Sequence, residues 1–177
     1  KDVQITAEGR SAWIGWLELA TETVDETGTR TTARVIADLD PDVIGIVEAE
    51  DRASLRRFNT DLLAGRYQHV MLVDGNDERG IDVGIMTRNG YRIDRIVSHV
   101  DDAAGGSRIF SRDCPEYTIT KDTTQVLVLL NHLKSKGFGN QNDNDNRRKA
   151  QAARVRAIYD QRCAEGVANI VVMGDFN

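Results

Sequence analysis

Three short runs of aliphatic residues dominate the sequence, and each of them ends in polar side chains. VIGIVE ends at Glu48, VLVLLNH ends at Asn131 and His132, and NIVVMGDFN ends with Asp175 and Asn177. Short apolar runs rich in β-branched residues are typical of strands buried inside a sheet. Sheet proteins often carry a site where such strands end, because the strands form a rigid scaffold. A single acidic residue at a strand end usually marks only contact with solvent, so the prediction depends on all three ends together.

Helical patterns alternate with these strands and predict an α/β or α+β protein. The first helix, TTARVIADLD, places Ala33, Ile36 and Ala37 on one face. The second helix, SLRRFNTDLLAG, is expected to end at Gly65. The third is expected to run from about Asp145 to Glu165 with its arginines facing solvent. Its inward positions are expected to be Ala150, Ala153, Ala157 and Ile158.

Three further strands are predicted between the second helix and VLVLLNH. Their sequences are HVMLVD, DVGIMTR and YRIDRIVS. The last two are joined by a tight turn at Asn89 and Gly90. The stretches DGNDERG, DDAAGGS and KGFGNQNDNDN are rich in Gly, Asn and Asp, which indicates surface loops.

The composition indicates one globular domain. The chain has 177 residues, 40% of them hydrophobic, which suits a single domain with a sizeable core. Its apolar runs are far shorter than the roughly 20 residues that cross a bilayer. The formal charge of −5 argues against nonspecific attraction to nucleic acid, but a local basic groove is compatible with it. The spacing of Cys114 and Cys163 is not that of metal ligands. The sequence is compatible both with a disulfide between them and with two free thiols.

Four motifs, in the order PDVIGIVEAEDR, DERGIDVGIMTR, NHLKSKG and VVMGDFN, resemble those of the endonuclease/exonuclease/phosphatase superfamily, which has the deoxyribonuclease-I-like fold. GIDVG, FSRDC and NHLKSKG resemble its bacterial branch. The resemblance spans nearly all of residues 10 to 177. It implies an α/β fold with one domain over residues 1–177: a four-layer α/β sandwich of two mixed β-sheets packed face to face, with helices outside.

The resemblance also implies a role for each matching residue. Glu48 occupies the place of the glutamate that binds the catalytic divalent cation, Mg²⁺ or Mn²⁺, with Ca²⁺ as an alternative. Asp175 matches the aspartate that orients or deprotonates the attacking water. Asn177 matches the asparagine that stabilises charge on the phosphoryl group, and His132 matches a histidine that contacts the scissile phosphate.

Other residues are assigned to supporting positions by the same resemblance. Arg112 in IFSRDC is expected to reach a phosphate, and Asn131 lies beside His132. Lys134 and the following serine are candidates for holding phosphate, although a solvated loop lysine is the common alternative. Asp82 in GIDVG is expected to brace neighbouring groups rather than take part directly.

The implied activity is hydrolysis of a phosphodiester by in-line attack of water, without a covalent enzyme intermediate. A nuclease acting on DNA or RNA is the leading hypothesis. A phosphatase or phospholipase-type diesterase acting on a small or lipid phosphoester is the alternative, and a non-catalytic binding member of the family ranks below both. The basic run from Arg147 to Lys149, with Lys134 and Lys136 before it, fits either a nucleic-acid groove or a solvated helix face.

Complete members of the superfamily carry two further motifs. They open with an FNVxN-like strand whose Asn contributes to the metal site, and they close with an SDH-like motif. Neither motif occurs in this chain, and His69 and His99 lie in other sequence contexts. The resemblance therefore implies an internal portion of a longer domain, incomplete at both ends. It would lack the first strand and the C-terminal third, and the remainder of the domain would be needed for activity.

Overall fold

The computed structural model describes residues 27–137 and 139–177. Its helices are α1 (Thr27–Leu39), α2 (Arg52–Leu62) and α3 (Gln141–Ala164), so all three predicted helices are confirmed. The side chain of Asp51 caps α2 by accepting a hydrogen bond from the backbone N–H of Ser54 at 2.6 Å. The side chain of Asn140 caps α3 in the same way, which makes this helix start about one turn earlier than its apolar pattern predicts.

The described residues form nine strands. Their bounds are β1 Val43–Ala49, β2 His69–Val73, β3 Asp82–Thr87, β4 Arg92–Val97, β5 Ala103–Ala104, β6 Ser107–Arg108, β7 Glu116–Lys121, β8 Thr124–His132 and β9 Ile170–Asp175. A three-stranded antiparallel sheet has the order β1-β3-β2, and a four-stranded sheet has the order β4-β7-β8-β9. β8 and β9 pair in parallel, so the larger sheet is mixed. β5 and β6 form a short separate hairpin.

Apolar side chains separate the elements into four layers. One cluster, which includes Ile36 and Leu72, lies between the first two helices and the three-stranded sheet. A second cluster fills the space between the two sheets and includes Ile85 and Leu130. A third, which includes Ile158, joins the four-stranded sheet to α3. The order helix, sheet, sheet, helix confirms the predicted four-layer α/β sandwich. Both sheets were predicted to be mixed, but among the described residues only the four-stranded sheet is.

Gly45 lets β1 approach the other sheet closely. A Cβ at this position would lie 2.8 Å from Leu130 Cδ1 and 2.9 Å from Met173 Cε, which is closer than apolar atoms pack. Because glycine leaves this space empty, β1 packs directly across β8 and β9. This contact brings the carboxyl ends of the three strands to one edge of the sandwich.

The turn at Asn89 and Gly90 has the predicted local form but a different consequence. Both residues have positive φ, and the N–H of Tyr91 donates to the carbonyl of Arg88 at 3.1 Å. The strands on either side are not partners, because β3 pairs with β1 and β2 while β4 pairs with β7. The turn therefore carries the chain from one sheet to the other.

The prediction for the inward face of α3 was wrong except at Ile158. Ala150, Ala153 and Ala157 are exposed. The buried face of α3 includes polar residues such as Gln151. The apolar residues alone therefore do not show the helical period of this face. The other buried positions of α3 are Asn144 and Val155.

Two arginines of α3 also face inward rather than toward solvent. Arg162 donates to both oxygens of the buried Glu116 at 2.6 Å, and Arg154 Nε donates to Asp102 at 2.6 Å. The ring of His99 lies between the same two carboxylates, 2.8 Å from Glu116 and 3.0 Å from Asp102. This ionic network joins α3 to the four-stranded sheet and explains why arginines occupy the inner face.

Two further properties concern the cysteines and the membrane. Cys114 is buried, Cys163 is exposed, and both are free, so the disulfide alternative is not realised. Within residues 27–137 and 139–177, no helix combines the length and apolar character that crossing a bilayer requires.

Candidate active site

Glu48 lies at a β-bulge near the carboxyl end of β1. Val47 pairs with Val83 and Ala49 pairs with Asp82, so Glu48 is the extra residue between them. Its φ of +61° is unusual for a residue with a side chain, and such backbone is frequent at functional sites. The bulge turns the carboxylate outward. The side chain is 64% exposed and forms no hydrogen bond with any described residue.

β8 and β9 run in parallel and end side by side. Their register pairs Asn131 with Gly174 and His132 with Asp175. Gly174 has a φ of +128°, and a Cβ at this position would lie 1.9 Å from the carbonyl oxygen of Asn131. The glycine of the GDFN motif is therefore required for the pairing that sets Asp175 beside His132.

The ends of all three strands meet at His132, although β1 belongs to the other sheet. His132 Nε2 lies 3.9 Å from Glu48 Oε1 and 3.8 Å from Asp175 Oδ2. These distances are too long for hydrogen bonds, so the carboxylates act on the ring through charge. The structure brings together the residue predicted to bind metal and two of those predicted to be catalytic.

The surroundings of His132 favour its neutral form. Its side chain is only 5% exposed. Burial lowers the pKa of His132, and the positive charge of Arg112 lowers it further, against the opposing effect of Asp175 and Glu48. Nδ1 is buried and has no hydrogen-bond partner among the described residues. A neutral ring in this place offers Nε2 to a group that enters between the two carboxylates.

The backbone of Leu133 joins several site residues. Its carbonyl oxygen accepts hydrogen bonds from Arg112 Nη2 at 2.6 Å and from Asn177 Nδ2 at 3.1 Å. Its N–H donates to the carbonyl of Asp175 at 2.9 Å. The N–H of Asn177 in turn donates to Asp175 Oδ1 at 2.9 Å, which fixes this carboxylate. Asn177 therefore lies beside Asp175, and its amide keeps a second N–H hydrogen.

Arg112 is buried behind this edge rather than exposed to solvent. Its Nη1 donates to Asp77 Oδ2 at 3.1 Å, while its Nε is buried without a partner among the described residues. Arg79 also binds Asp77, through Nε and Nη2 at 3.0 Å each. Burial opposes the charge of Asp77, but the hydrogen bonds from Arg79 and Arg112 lower its pKa to about 2.

Sequence reasoning missed Asp77 and Arg79. They lie in the loop DGNDERG, whose composition indicated only a surface turn. An acidic and a basic residue two positions apart, directly before the GIDVG motif, were the available signal. Asn76 also anchors the loop, because its side chain donates to the carbonyl of Val100 at 2.7 Å.

Asp82 supports the same loop from below. It is buried, and its Oδ1 accepts a hydrogen bond from the N–H of Gly75 at 2.7 Å. Burial raises the pKa of Asp82 to about 6, with the nearby carboxylates of Asp74 and Asp77 adding to the rise. This position fits the bracing role expected from the sequence, since its one hydrogen bond fixes backbone rather than facing the site.

The remaining predicted phosphate-binding residues lie at different depths. Asn131 is buried; its amide donates to the carbonyl of Leu129 at 3.1 Å, and its Oδ1 has no partner among the described residues. Lys134 is more accessible, with its Nζ 3.5 Å from the carbonyl of Gly137. Burial and the positive charge of Arg112 lower the pKa of Lys134. The side chain of Ser135 donates to the same Gly137 carbonyl at 3.2 Å.

The donor set at the edge suits a hard divalent cation with few protein ligands. In residues 27–137 and 139–177, no cluster of three or more His, Cys, Asp and Glu side chains forms a complete metal cage. Glu48 and Asp175 are exposed carboxylates on either side of one imidazole. Mg²⁺ commonly uses one or two carboxylates and fills its other positions with water and substrate phosphate. These residues fit such an ion.

A cleft of about 440 Å³ lies away from these residues, between α2 and the outer strand of the three-stranded sheet. Arg52, Arg56 and His69 contribute to its wall, and none of the candidate site residues lines it. The candidate site lies instead at the edge of the sandwich where β1, β8 and β9 end, beside a smaller apolar cleft of about 240 Å³ to which Leu133 and Phe176 contribute.

Comparison with known proteins gives one family and one fold. The family described as Endonuclease/Exonuclease/phosphatase matches residues 4–177. Truncated TDP2 from Caenorhabditis elegans is similar in structure, with a TM-score of 0.65 and 17% identity. Sphingomyelinase C from Streptomyces griseocarneus has a TM-score of 0.61 and 21% identity. The catalytic domain of human Nocturnin, with a bound sulfate anion, has a TM-score of 0.63 and 16% identity. No curated protein matches the sequence.

These likenesses cover most of this chain and little more than half of the other proteins. The matches span 85% of this chain and 55% of the TDP2 structure, and 85% and 58% for sphingomyelinase C. For Nocturnin the values are 88% and 59%. At these identities the comparison establishes the deoxyribonuclease-I-like sandwich and not a shared substrate.

Proposed function

The chain belongs to the endonuclease/exonuclease/phosphatase family, and from this premise we propose that it is a divalent-metal-dependent phosphodiesterase, namely a nuclease acting on DNA or RNA. One observation carries the proposal. The carboxylates of Glu48 and Asp175, from different sheets, lie 3.9 and 3.8 Å from the same nitrogen of His132. Two carboxylates and a neutral imidazole at one open edge are the groups that metal-assisted phosphodiester hydrolysis needs.

Glu48 would hold the cation. Its carboxylate oxygens are exposed and suit Mg²⁺ or Mn²⁺. When bound, the ion would supply polarisation of a phosphoryl oxygen and stabilisation of the leaving oxygen. The bulge at Glu48 turns its carboxylate outward, which supports this assignment.

Asp175 would position the attacking water. Its Oδ1 is held by the N–H of Asn177 at 2.9 Å, so its Oδ2 faces His132 with a fixed orientation. A carboxylate fixed in this way can accept a hydrogen bond from water and direct its lone pair toward phosphorus. The attack is in line with the leaving oxygen, and no covalent enzyme intermediate is involved.

His132 and Asn177 would stabilise charge on the phosphoryl group. Burial lowers the pKa of His132 and so favours the neutral imidazole. With its proton on Nε2, the ring would donate to a phosphoryl oxygen from an orientation set by packing. The second N–H hydrogen of the Asn177 amide is available because only one is directed at Leu133. Donors fixed before the reaction stabilise developing charge without reorganisation. Arg112 is proposed to act indirectly, because its guanidinium donates to the same Leu133 carbonyl that accepts a hydrogen bond from Asn177.

A lipid or small phosphoester is the second candidate substrate. The structural likeness to sphingomyelinase C supports it, and the side chain of Phe176, next to Asp175 in the chain, is 46% exposed. An apolar side chain at this place suits a lipid tail better than a nucleic-acid backbone. A purely non-catalytic role is disfavoured because the charged residues at the edge are all present.

The proposal is tested by incubating the full-length protein with plasmid DNA and with a chromogenic phosphodiester, each with Mg²⁺ and with EDTA. Cleavage of plasmid with Mg²⁺ and not with EDTA is expected. Cleavage of the small diester alone would point to the second candidate, and no cleavage of either would refute the hydrolase. Glu48→Gln should abolish the metal-dependent rate. Asp160→Asn, at an exposed carboxylate paired with Arg156 on α3, is the matched control and should leave it unchanged.

A further inference from the structure

The loop after His132 and the start of α3 form one fixed unit. Arg148 Nη1 donates to the carbonyl of Lys134 at 2.9 Å, and the N–H of Lys134 donates to Gln151 Oε1 at 2.8 Å. These two bonds place the first turns of α3 against the loop that begins two residues after His132. The basic residues in the first turns of α3 therefore lie next to the loop that follows His132.

This unit is basic in a chain that is acidic overall. Residues 134–149 contain five basic and two acidic side chains, whereas the whole chain has a formal charge of −5. Arg148 is paired with Asp145. The guanidinium of Arg147 is exposed and forms no hydrogen bond or ion pair with a described residue. Positive charge thus accumulates at one side of the edge without an equal number of carboxylates.

The electrostatic environment of Lys134 agrees with this arrangement. Its pKa is lowered by burial and then by the positive charges of Arg112, Arg79 and Arg147. Neighbouring positive charges disfavour the charged form of a lysine, and an anion bound among them offsets this repulsion. Lys134 and Arg147 are called here the basic rim.

We propose that the basic rim binds a second phosphate of the substrate, next to the scissile one, so that the substrate is a polynucleotide. The placement of the scissile phosphate at His132 depends on the function proposed above. The proposed site for the second phosphate depends only on Lys134 and Arg147. A nucleic-acid backbone presents phosphates in series, and Lys and Arg neutralise them. A zwitterionic headgroup or a small diester has no second phosphate for Arg147 to contact.

Arg147 would act in substrate binding and not in the chemical step. The salt dependence of binding is the slope of log K against log salt concentration. Each phosphate contact adds about 0.9 to the magnitude of this slope for duplex DNA and about 0.7 for a single strand. Loss of one duplex contact corresponds to an affinity decrease of about 15-fold at 50 mM salt and about 4-fold at 200 mM. KM for a polynucleotide should rise accordingly, with kcat unchanged.

The experiment uses the full-length protein with a 20-base-pair DNA duplex and a 20-nucleotide single-stranded RNA. Binding is measured by fluorescence anisotropy in EDTA between 50 and 300 mM salt. Arg147→Ala should lower the slope by about 0.9 for duplex or about 0.7 for single strand, and Arg147→Lys should restore it. Arg30→Ala, at an exposed arginine of α1 in the opposite outer layer of the sandwich, removes the same charge and should leave the slope unchanged. Hydrolysis of a chromogenic diester should be the same in all variants.

Three results would overturn the proposal. One is an unchanged slope in Arg147→Ala, and another is an equal decrease in Arg30→Ala, which would reflect net charge alone. The third is a loss of binding to anionic phospholipid vesicles in Arg147→Ala that exceeds its loss of binding to the oligonucleotides. Because binding is measured without metal, it also separates the two proposals. If Arg147→Ala lowers the slope but the protein hydrolyses neither substrate with Mg²⁺, the proposal of the basic rim is supported and that of the hydrolase is refuted.

Discussion

Replacement of Gly174 by alanine is expected to damage the fold and the candidate site together. The φ of +128° at Gly174 is strained for any residue with a Cβ, at a cost of about 1–3 kcal/mol. The added Cβ would lie 1.9 Å from the carbonyl oxygen of Asn131, whereas ordinary contacts begin near 3.4 Å. β9 must therefore move away from β8 by about 1.5 Å, and such overpacking costs about 1–3 kcal/mol more.

The sum of these costs is about 2–6 kcal/mol, against a total of about 5–15 kcal/mol for a typical domain. The same displacement separates Asp175 from His132, which the register now pairs. A misplacement of about 1 Å in a catalytic group commonly reduces a rate about 100-fold. Gly174→Ala should therefore lose both stability and phosphodiesterase activity.

Urea denaturation followed by circular dichroism measures the first effect, and hydrolysis of a chromogenic diester measures the second. Gly28→Ala is the matched control, because a Cβ at Gly28 meets no atom within 4 Å and the residue lies in α1. It should be neutral or stabilising by up to ~1 kcal/mol. A free energy of unfolding within about 0.5 kcal/mol of wild type in Gly174→Ala, the range of an ordinary surface substitution, would refute the reasoning.

Two further predictions concern charges outside the catalytic groups. His99 lies between two carboxylates, which raise its pKa despite burial. Its contribution to stability is full below pH 6.5 and is lost as the pH rises through the folded pKa. His99→Gln should therefore reduce the difference in unfolding free energy between pH 6 and pH 8.5. Asp77→Asn removes the carboxylate that pairs with the buried Arg112, and it should destabilise the protein by about 3 kcal/mol in urea denaturation.

An exposed counterpart of the same chemistry serves as the control for the second prediction. Asp61→Asn breaks an exposed pair with Arg57 and should cost less than about 1 kcal/mol. An unaltered pH dependence in His99→Gln would contradict the first prediction. Equal effects of Asp77→Asn and Asp61→Asn would contradict the second.

The sequence predicted those parts of the fold that apolar periodicity encodes. VIGIVE, VLVLLNH and NIVVMGDFN are β1, β8 and β9, and the polar residues at their ends meet at one edge. β7 was not predicted, although EYTITK alternates polar with apolar residues, which is the usual signal of a half-buried strand. The assignment of β3 and β4 to different sheets was also invisible, since Asn89 and Gly90 signal a turn but not which strands pair.

Long-range contacts explain what the sequence left out at the site. The bulge that turns Glu48 outward depends on the register with β3, which no local pattern encodes. Arg112 was expected to reach a phosphate from its motif alone, whereas its guanidinium is buried and bonded to Asp77 and Leu133. The burial of Gln151 likewise reflects its bond to Lys134. Each case is a polar group whose partner lies far away in sequence.

The most direct test of the proposed nuclease is the Mg²⁺-dependent rate of plasmid cleavage by the full-length protein and its Asp175→Asn variant. Wild type should cleave plasmid DNA with Mg²⁺ and lose this rate in EDTA. Asp175→Asn keeps the hydrogen bond from the N–H of Asn177 but removes the charge, and its rate should fall by about 10²- to 10⁴-fold. An Asp175→Asn rate equal to that of wild type would contradict the assignment of this edge as the catalytic site.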